Sequence, residues 1–429
     1  MRYIIATLGC KVNQYESEAM DLMLRRRGHL PCESGQRADA ILVNTCAVTA
    51  EGARKARQTV RRLQREHPGA LTAVCGCWSQ IEPEAAAALG AEVIFGTGDR
   101  QGFVAAVEAA AAERTGERLE MLTDPFRRTV FEELTADAYA GHARAYLKIQ
   151  DGCDNFCSYC IIPFARGRVL SLGAEQCAAQ AKKLAGQGYR EIVVTGIEIS
   201  SWGKDLKNGL TLIDALEAMA AAAPEARLHL GSLEPTVVTE EFVSRLQRLN
   251  VCPHFHLSLQ SGCDETLRRM RRKYDTAFFL AATGRLRAAF PGCAVTTDLI
   301  CGFPGETEEE FAATLEFIRR CAFAAMHIFP YSVRPGTGAA EMPDQLDKDT
   351  KARRCRAAQS AAAAMKKEYL RSCVGKTLPV LFETEQNGQC VGHADNYTEV
   401  MAEGASLRGQ ILPVKIGEVR GGMLLGTIL

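Results

Sequence analysis

Three cysteines in the stretch DGCDNFCSYC, Cys153, Cys157 and Cys160, stand at a C-x3-C-x2-C spacing, and the next cysteine, Cys177, falls in a helical pattern. A loop this short lets three thiolates face one point. Structural zinc normally takes four protein ligands, and most iron–sulfur clusters take four cysteines. One reading is therefore a zinc loop completed by a distant cysteine or histidine. The other is a cube-shaped four-iron cluster with one iron left open, as catalytic zinc leaves a position open for water or substrate.

An open iron can be chelated by the amino and carboxylate groups of S-adenosylmethionine. Electron transfer into the sulfonium then releases a carbon radical, chemistry that the protein need only position and shield. A second set of thiols, Cys10, Cys46 and Cys77, follows the apolar runs RYIIATL, ADAILVNT and LTAVCG. Such continuous apolar runs suit strands buried on both faces, and AEVIFGT adds a fourth. NQYESEAMDLMLRRRG and EGARKARQTVRRLQREHPG have helical character and close at Gly or Pro-Gly. The βα succession predicts a parallel sheet, whose ligands gather beyond the carboxyl ends of the strands. Chain-adjacent strands tend to be neighbours, so three strand-end thiols can converge. Cys75, inside its strand, is assigned to the core.

The elements that position these groups divide the chain into three. Residues 1–125 form the parallel α/β unit, and a linker of mixed polarity runs from about 114 to 142. Residues 140–372 carry AYLKIQ, EIVVTG, RLHLGS, HFHLSL, AVTTDLI and AAMHIFPY, six strands with helices between most of them. That pattern predicts a partial (β/α)6 barrel, with chemistry on the loops after the strands. Every unusual loop, from DGCDNFCSYC to CGFPGETEEEF, lies there. Residues 373–429 lose helical periodicity and predict a small antiparallel β-barrel or sandwich. Thr307 and Glu310 form a T-x-x-E capping box, which a helix start explains fully.

Lys+Arg and Asp+Glu are equal at 51 each, so any nucleic-acid surface must be a local patch. No stretch approaches the length of a membrane span, and MRYIIATLGC is not a secretory signal. An odd count of 17 cysteines in a long chain points to thiols kept reduced, hence a cytoplasmic metalloprotein.

The cluster loop DGCDNFCSYCIIPFARGR resembles that of radical S-adenosylmethionine enzymes, and the whole chain resembles the methylthiotransferases. That family carries an amino-terminal three-cysteine domain, a radical core and a small β-barrel called TRAM. TLGCKVNQYESE, NTCAVT, LKIQDGCDNFCSYCIIPFARG, FPGETEEEF and HIFPYSVRPGTGAA are most similar to the branch acting on N6-threonylcarbamoyladenosine beside the tRNA anticodon. The resemblance implies two 4Fe–4S clusters. Cys10, Cys46 and Cys77 would hold an auxiliary one that handles sulfur, and Cys153, Cys157 and Cys160 the one that cleaves S-adenosylmethionine. It also implies cofactor contacts from Tyr159, Thr195, Gly196, Glu198, Glu234, Gln260, Gly302 and Gly305. The wording TGIEISSWG departs from the His-Gly-rich form of the branch, which bears on Glu198.

Implied partners are tRNA bearing N6-threonylcarbamoyladenosine at position 37, a flavodoxin- or ferredoxin-like electron donor and a sulfur source. Isopentenyladenosine in tRNA and an aspartate of a ribosomal protein are the competing substrates. A non-catalytic iron–sulfur protein that binds tRNA or senses redox state is the competing class. Basic patches at ARKARQTVRRLQR and RRMRRKY offer phosphate contacts. Arg54, Lys55 and Arg61 in the first, with Arg166, Arg168 and Arg334 elsewhere, are the tRNA candidates; the last three are, by location alone, the candidates for pairing with the threonyl carboxylate.

Overall fold

The computed structural model describes residues 1–113, 116–134 and 143–429. The amino-terminal unit is a six-stranded, all-parallel sheet. Arg2–Thr7, Ala40–Thr45, Leu71–Gly76 and Val93–Phe95 are the four strands that the apolar runs predict. Leu30–Pro31 and Leu119–Met121 are added at the two edges. These additions are too short for periodicity to reveal, and proline is tolerated at an edge because its missing N–H is not needed there. Ala40–Thr45 and Leu71–Gly76 are buried at every position, as strands covered on both faces must be.

Helix Lys11–Arg26 follows the first strand and Ala50–Glu66 the third. The latter starts at Thr49, whose side chain accepts from the Gly52 amide. Residues 114–115 and 135–142 of the expected linker lie outside the described residues.

The central unit has six parallel strands in two groups of three. Ala145–Lys148, Glu191–Thr195 and Arg227–Leu230 form one group, and His254–Gln260, Ala294–Cys301 and Ala325–Pro330 the other. Isolated parallel bridges, Leu228 to Val251 and Leu233 to Leu257, join the groups into the partial barrel. The Thr307–Glu310 capping box opens helix Glu308–Cys321. A 26-residue helix, Lys348–Cys373, leads from the last strand to the tail.

The tail is a closed five-stranded barrel rather than a sandwich. One pair departs from the antiparallel expectation, because Glu399–Glu403 runs parallel to Met423–Ile428 and closes the cylinder. Among the described residues no helix is long and apolar enough to cross a membrane.

Charge pairs dock the units. Arg334 reaches Glu82 at 3.1 Å and Ser332 Oγ accepts from the Ala50 amide at 3.0 Å, tying the central unit to the first. Arg144 meets Glu383 at 2.6 Å, and Arg227 donates to the Pro379 carbonyl at 3.0 Å, tying it to the tail.

Candidate functional site

The first thiol set is placed by strand register. Thr7 is level with Asn44, and Thr45 with Gly76, so the loops bearing Cys10, Cys46 and Cys77 leave one edge of the sheet together. Gly76 has φ +101°, and a Cβ there would lie 2.5 Å from the Thr45 carbonyl oxygen. Only glycine lets that strand turn at once into the short Cys77–Ile81 helix. Burial, with Cys77 and Cys10 adding to it, pushes the Cys46 thiol up to about 12.

The second set follows the short strand Gln150–Asp151. Gly152 has φ +70°, and a Cβ would stand 1.8 Å from the Arg168 carbonyl oxygen, so the chain can enter the loop there only as glycine. The loop is pinned by backbone bonds from Cys153 to Gly167 at 3.0 Å and from Ser158 to Met270 at 3.1 Å. Ala339 in turn donates to the Ser158 carbonyl at 2.7 Å. Burial pushes Cys153 and Cys160 each up to about 12, and neighbouring thiols of the loop add to it. Thiols held protonated in this way ionise when a metal supplies the compensating charge.

The width of each set bears on zinc. Ligands on one tetrahedral zinc stand about 3.8 Å apart, given Zn–S bonds of about 2.3 Å. Among the described residues, the groups of donor atoms lying within 4.8 Å of one another are Glu191–His229–Cys252 and His256–Asp298–His327; neither cysteine set is one of them. At least one sulfur pair in each set therefore stands wider than a single tetrahedral zinc would hold it.

Two arginines touch these sulfurs, Arg166 wholly buried and Arg272 with its side chain covered, and their placement was not legible in the sequence. Arg166 Nε donates to Cys77 Sγ at 3.4 Å. Its Nη groups meet both Glu16 oxygens at 2.5 and 3.1 Å, Asn13 Oδ1 at 2.9 Å and Asp151 at 3.2 Å. Lys148 and Arg100 also pair with Glu16, at 3.0 and 2.9 Å. Arg272 Nη1 donates to Cys157 Sγ at 3.0 Å, while Nη2 grips both oxygens of Glu234. Within RRMRRKY, Arg272 is thus turned inward, and Arg269 pairs with Glu310, so those two do not face solvent as free phosphate contacts.

The remaining expected contacts surround the loop. Glu198, Glu234 and Cys157 line one cavity of about 50 Å³. Glu198 Oε2 accepts from the Ser201 hydroxyl, while Oε1 is buried with no partner among the described residues. Burial raises the Glu234 carboxyl despite Arg272. Gly196 fits against Gln150, whose carbonyl would be 2.9 Å from an added Cβ, and Thr195 is buried at its strand end. Gln260 takes φ +68° at the end of its strand, a strained value of the kind that collects at functional sites. Tyr159 packs edge-on against Phe303 beside Gly302 and Gly305, both at positive φ.

The tRNA candidates separate. Arg166 is wholly buried, and Arg334 is 4% exposed and paired with Glu82, so both serve as internal clamps in this structure. Arg168 is exposed, 3.2 Å from Asp154 and over the Phe156 ring. Arg54 pairs with Glu51 on an exposed face, and Arg61 is exposed on the same helix. Lys55 lines a cleft of about 1010 Å³ between the two units, with Cys46 and Gly9 on one wall. Phe329, Tyr331, Lys348, Lys351 and Arg356 form the other. Basic side chains beside an exposed aromatic ring make a surface suited to phosphates and an unstacked base.

Residues 147–318 match the Radical SAM superfamily, residues 2–96 the Uncharacterized protein family UPF0004, and residues 371–429 the TRAM domain. A Bacillus subtilis protein named threonylcarbamoyladenosine tRNA methylthiotransferase MtaB is 39% identical, over 96% of this chain and 92% of its own. The Thermotoga maritima protein of the same name is 34% identical over 88% and 86%. A tRNA-2-methylthio-N(6)-dimethylallyladenosine synthase of Anaeromyxobacter dehalogenans is also 34% identical, over 99% and 93%. Among solved structures, the radical S-adenosylmethionine methyltransferase TsrM of Kitasatospora setae superposes with a TM-score of 0.58 at 16% identity. It covers 91% of this chain and 80% of that one, a likeness of fold alone.

Proposed function

The chain belongs to the radical S-adenosylmethionine tRNA methylthiotransferases, and from that premise we propose that it installs a methylthio group at C2 of N6-threonylcarbamoyladenosine 37 in tRNA. The observation that carries the choice of nucleoside is the 39% identity, along 96% of the chain, to a relative named for it. Cys153, Cys157 and Cys160 would hold one 4Fe–4S cluster, and Cys10, Cys46 and Cys77 the other. Bound there, the first supplies reductive cleavage of S-adenosylmethionine and the second a place for the sulfur to be transferred.

The chain's own residues do the positioning. Arg272 orients Cys157 and Glu234 together, and Arg166 orients Cys77. The orphaned Oε1 of Glu198 is an acceptor waiting for a donor, as the methionyl ammonium would provide. Tyr159, Thr195, Gly196, Gln260, Gly302 and Gly305 frame the same end of the barrel. The cleft beside Cys46 takes the RNA, with Lys55, Lys351 and Arg356 on phosphates and Phe329 available to stack on a base. A flavodoxin- or ferredoxin-like donor supplies electrons, and a separate source supplies sulfur.

The test is anaerobic turnover of the cluster-loaded protein with reductant and S-adenosylmethionine. It is offered tRNA carrying either threonylcarbamoyladenosine or isopentenyladenosine, followed by mass spectrometry of the digested nucleosides. Methylthio product from the first alone is expected. Product from the second alone would overturn the choice of nucleoside, and cofactor cleavage without either product would point to a protein substrate.

A further inference from the structure

Four of the chain's eight histidines, His254, His256, His327 and His393, line a cavity of about 490 Å³ in which none of the six candidate cluster cysteines takes part, although Lys11, next to Cys10, is among its lining residues. One wall is the inner face of the strands His254–Gln260, Ala294–Cys301 and Ala325–Pro330; another is the tail barrel, through Asn396, Tyr397 and Thr398. Strand register sets His256 level with Thr296, and Asp298 level with His327. His256, Asp298 and His327 each offer one donor atom, all within 4.8 Å of one another.

A chain of hydrogen bonds dictates which nitrogen of His256 carries its proton. Glu191 is held as a carboxylate by Arg227 at 2.7 Å and Arg144 at 3.5 Å. It must therefore accept from His229 Nδ1–H, 3.0 Å away. His229 and His254 are both buried with facing ring nitrogens 2.7 Å apart, so one of that pair must donate and the other accept. His229 Nε2 then accepts from His254 Nδ1–H at 2.7 Å, and His254 Nε2 accepts from the Thr296 hydroxyl at 2.9 Å. With its hydrogen committed, Thr296 Oγ1 accepts from His256 Nδ1–H at 3.0 Å.

With Nδ1 committed as the donor, only Nε2 of His256 is free to serve as a ligand, and the atom facing it at 3.3 Å is Asp298 Oδ2. An imidazole lone pair and a carboxylate oxygen this close repel unless a proton or a metal cation lies between them. An imidazole whose far nitrogen is hydrogen-bonded, and a carboxylate beside it, are the outer and inner parts of a built metal site. We propose that His256 Nε2, Asp298 and His327 bind one divalent transition-metal ion, separate from both clusters. Thr296, His254, His229 and Glu191 set the tautomer of its first ligand. Two imidazoles and one carboxylate suit first-row ions such as Co2+, Zn2+ or Fe2+. Three protein ligands leave further positions toward the cavity, open to water or an oxygen anion.

The test uses tag-free, cluster-loaded protein with both clusters oxidised and diamagnetic. Co2+ is added, bound metal is counted after equilibrium dialysis, and the high-spin Co2+ signal is read by electron paramagnetic resonance. One equivalent is expected in the wild type, lost in Asp298→Asn and in His327→Ala. The second variant alters an exposed side chain, so a failure to fold is not expected to confuse the result. Thr296→Val should keep the stoichiometry and weaken binding by about 10–100-fold, the usual effect of losing an outer hydrogen bond. Undiminished binding in Asp298→Asn and His327→Ala would overturn the proposal. So would absence of the equivalent from the wild type, which would make His256 and Asp298 a proton-bridged pair.

Discussion

Replacing Glu16 by Gln removes one negative charge from a buried cluster of five without changing the side chain's shape. Arg100, Lys148 and Arg166 face Glu16 and Asp151, and all five are 4% exposed or less. Three cations against two carboxylates leave a net charge of +1, and the variant leaves three against one, +2. Glu16 accepts four charged hydrogen bonds, one each from Lys148 and Arg100 and two from Arg166. A glutamine oxygen can keep at most two of them, and its amide hydrogens would point at guanidinium groups. Breaking a buried pair from one side costs about 3–5 kcal/mol. For a unit of this size that is a fall in melting temperature of roughly 6–20 °C.

The assay is calorimetry of cluster-loaded wild type, Glu16→Gln, Arg100→Met and the double variant. Removing Arg100 as well restores the net charge of +1, so the double variant should recover part of the loss, with a coupling energy of about 0.5–3 kcal/mol. A Glu16→Gln loss below about 1 kcal/mol, the worth of an exposed pair, would refute the reasoning. Strict additivity in the cycle would refute it equally.

Acid should probe the same cluster. Burial raises both carboxyls, but Arg100, Arg166 and Lys148 outweigh it at Glu16, and Lys148 and Arg166 outweigh it at Asp151, bringing that group to about 2. Depressed folded values mean that the stabilisation is complete above the unfolded values of 4.5 and 3.8 and is lost as pH falls toward 2. Wild-type unfolding followed by circular dichroism should steepen in that window, and Glu16→Gln should flatten it. Arg272→Lys keeps the charge but loses the fork that spans Cys157 and Glu234; potentiometric titration should show a more negative midpoint for the radical cluster, since hydrogen bonds to cluster sulfurs set its potential. Lys351→Gln and Arg356→Gln should weaken tRNA binding and flatten its salt dependence by about 0.7–0.9 for each phosphate left unneutralised, without changing iron content. Serine at Cys10, Cys46 and Cys77 together should halve the iron of the reconstituted protein, from about eight atoms to about four, while S-adenosylmethionine cleavage persists.

What the sequence made legible was whatever periodicity and spacing encode. The apolar runs before Cys10, Cys46 and Cys77 announced strands, and parallel topology then brought their ends together. The loop after AYLKIQ was legible because three cysteines in eight residues have few other uses. In the sequence Arg166 and Arg334 look like substrate contacts because charge defaults to solvent, yet both are buried beside carboxylates more than 140 residues away in the chain. Pairing at that separation leaves no periodic trace. One signal was present, since Lys148 stands between Leu147 and Ile149 in a run expected to form a buried strand, and lysine is almost never fully buried unless paired. The His256–Asp298–His327 group was hidden for a similar reason, because its three members sit on three strands separated by helices.

The five-charge cluster draws four of its members from the motif words NQYESE, LKIQDG and FARG, which flank the cysteine loops in the chain. They contribute Glu16, then Lys148 and Asp151, then Arg166. Glu16 belongs to the amino-terminal unit and the other three to the barrel, so the cluster is the joint between the two thiol sets. Arg166 completes the connection: it follows the Cys153–Cys160 loop in the chain and donates to Cys77 in space. An apolar joint could supply as much stability, since buried ion pairs often do no better than packed hydrocarbon. It could not fix one register as strictly, because apolar contacts slide at little cost whereas four directional bonds to one carboxylate do not. A group passed between two metal centres needs both held in a single relative placement. Burial in the joint raises the Cys77 thiol, and Arg166, donating to that sulfur, offsets part of the rise, so the residue that locks the units together is also the one that eases ionisation of the thiol.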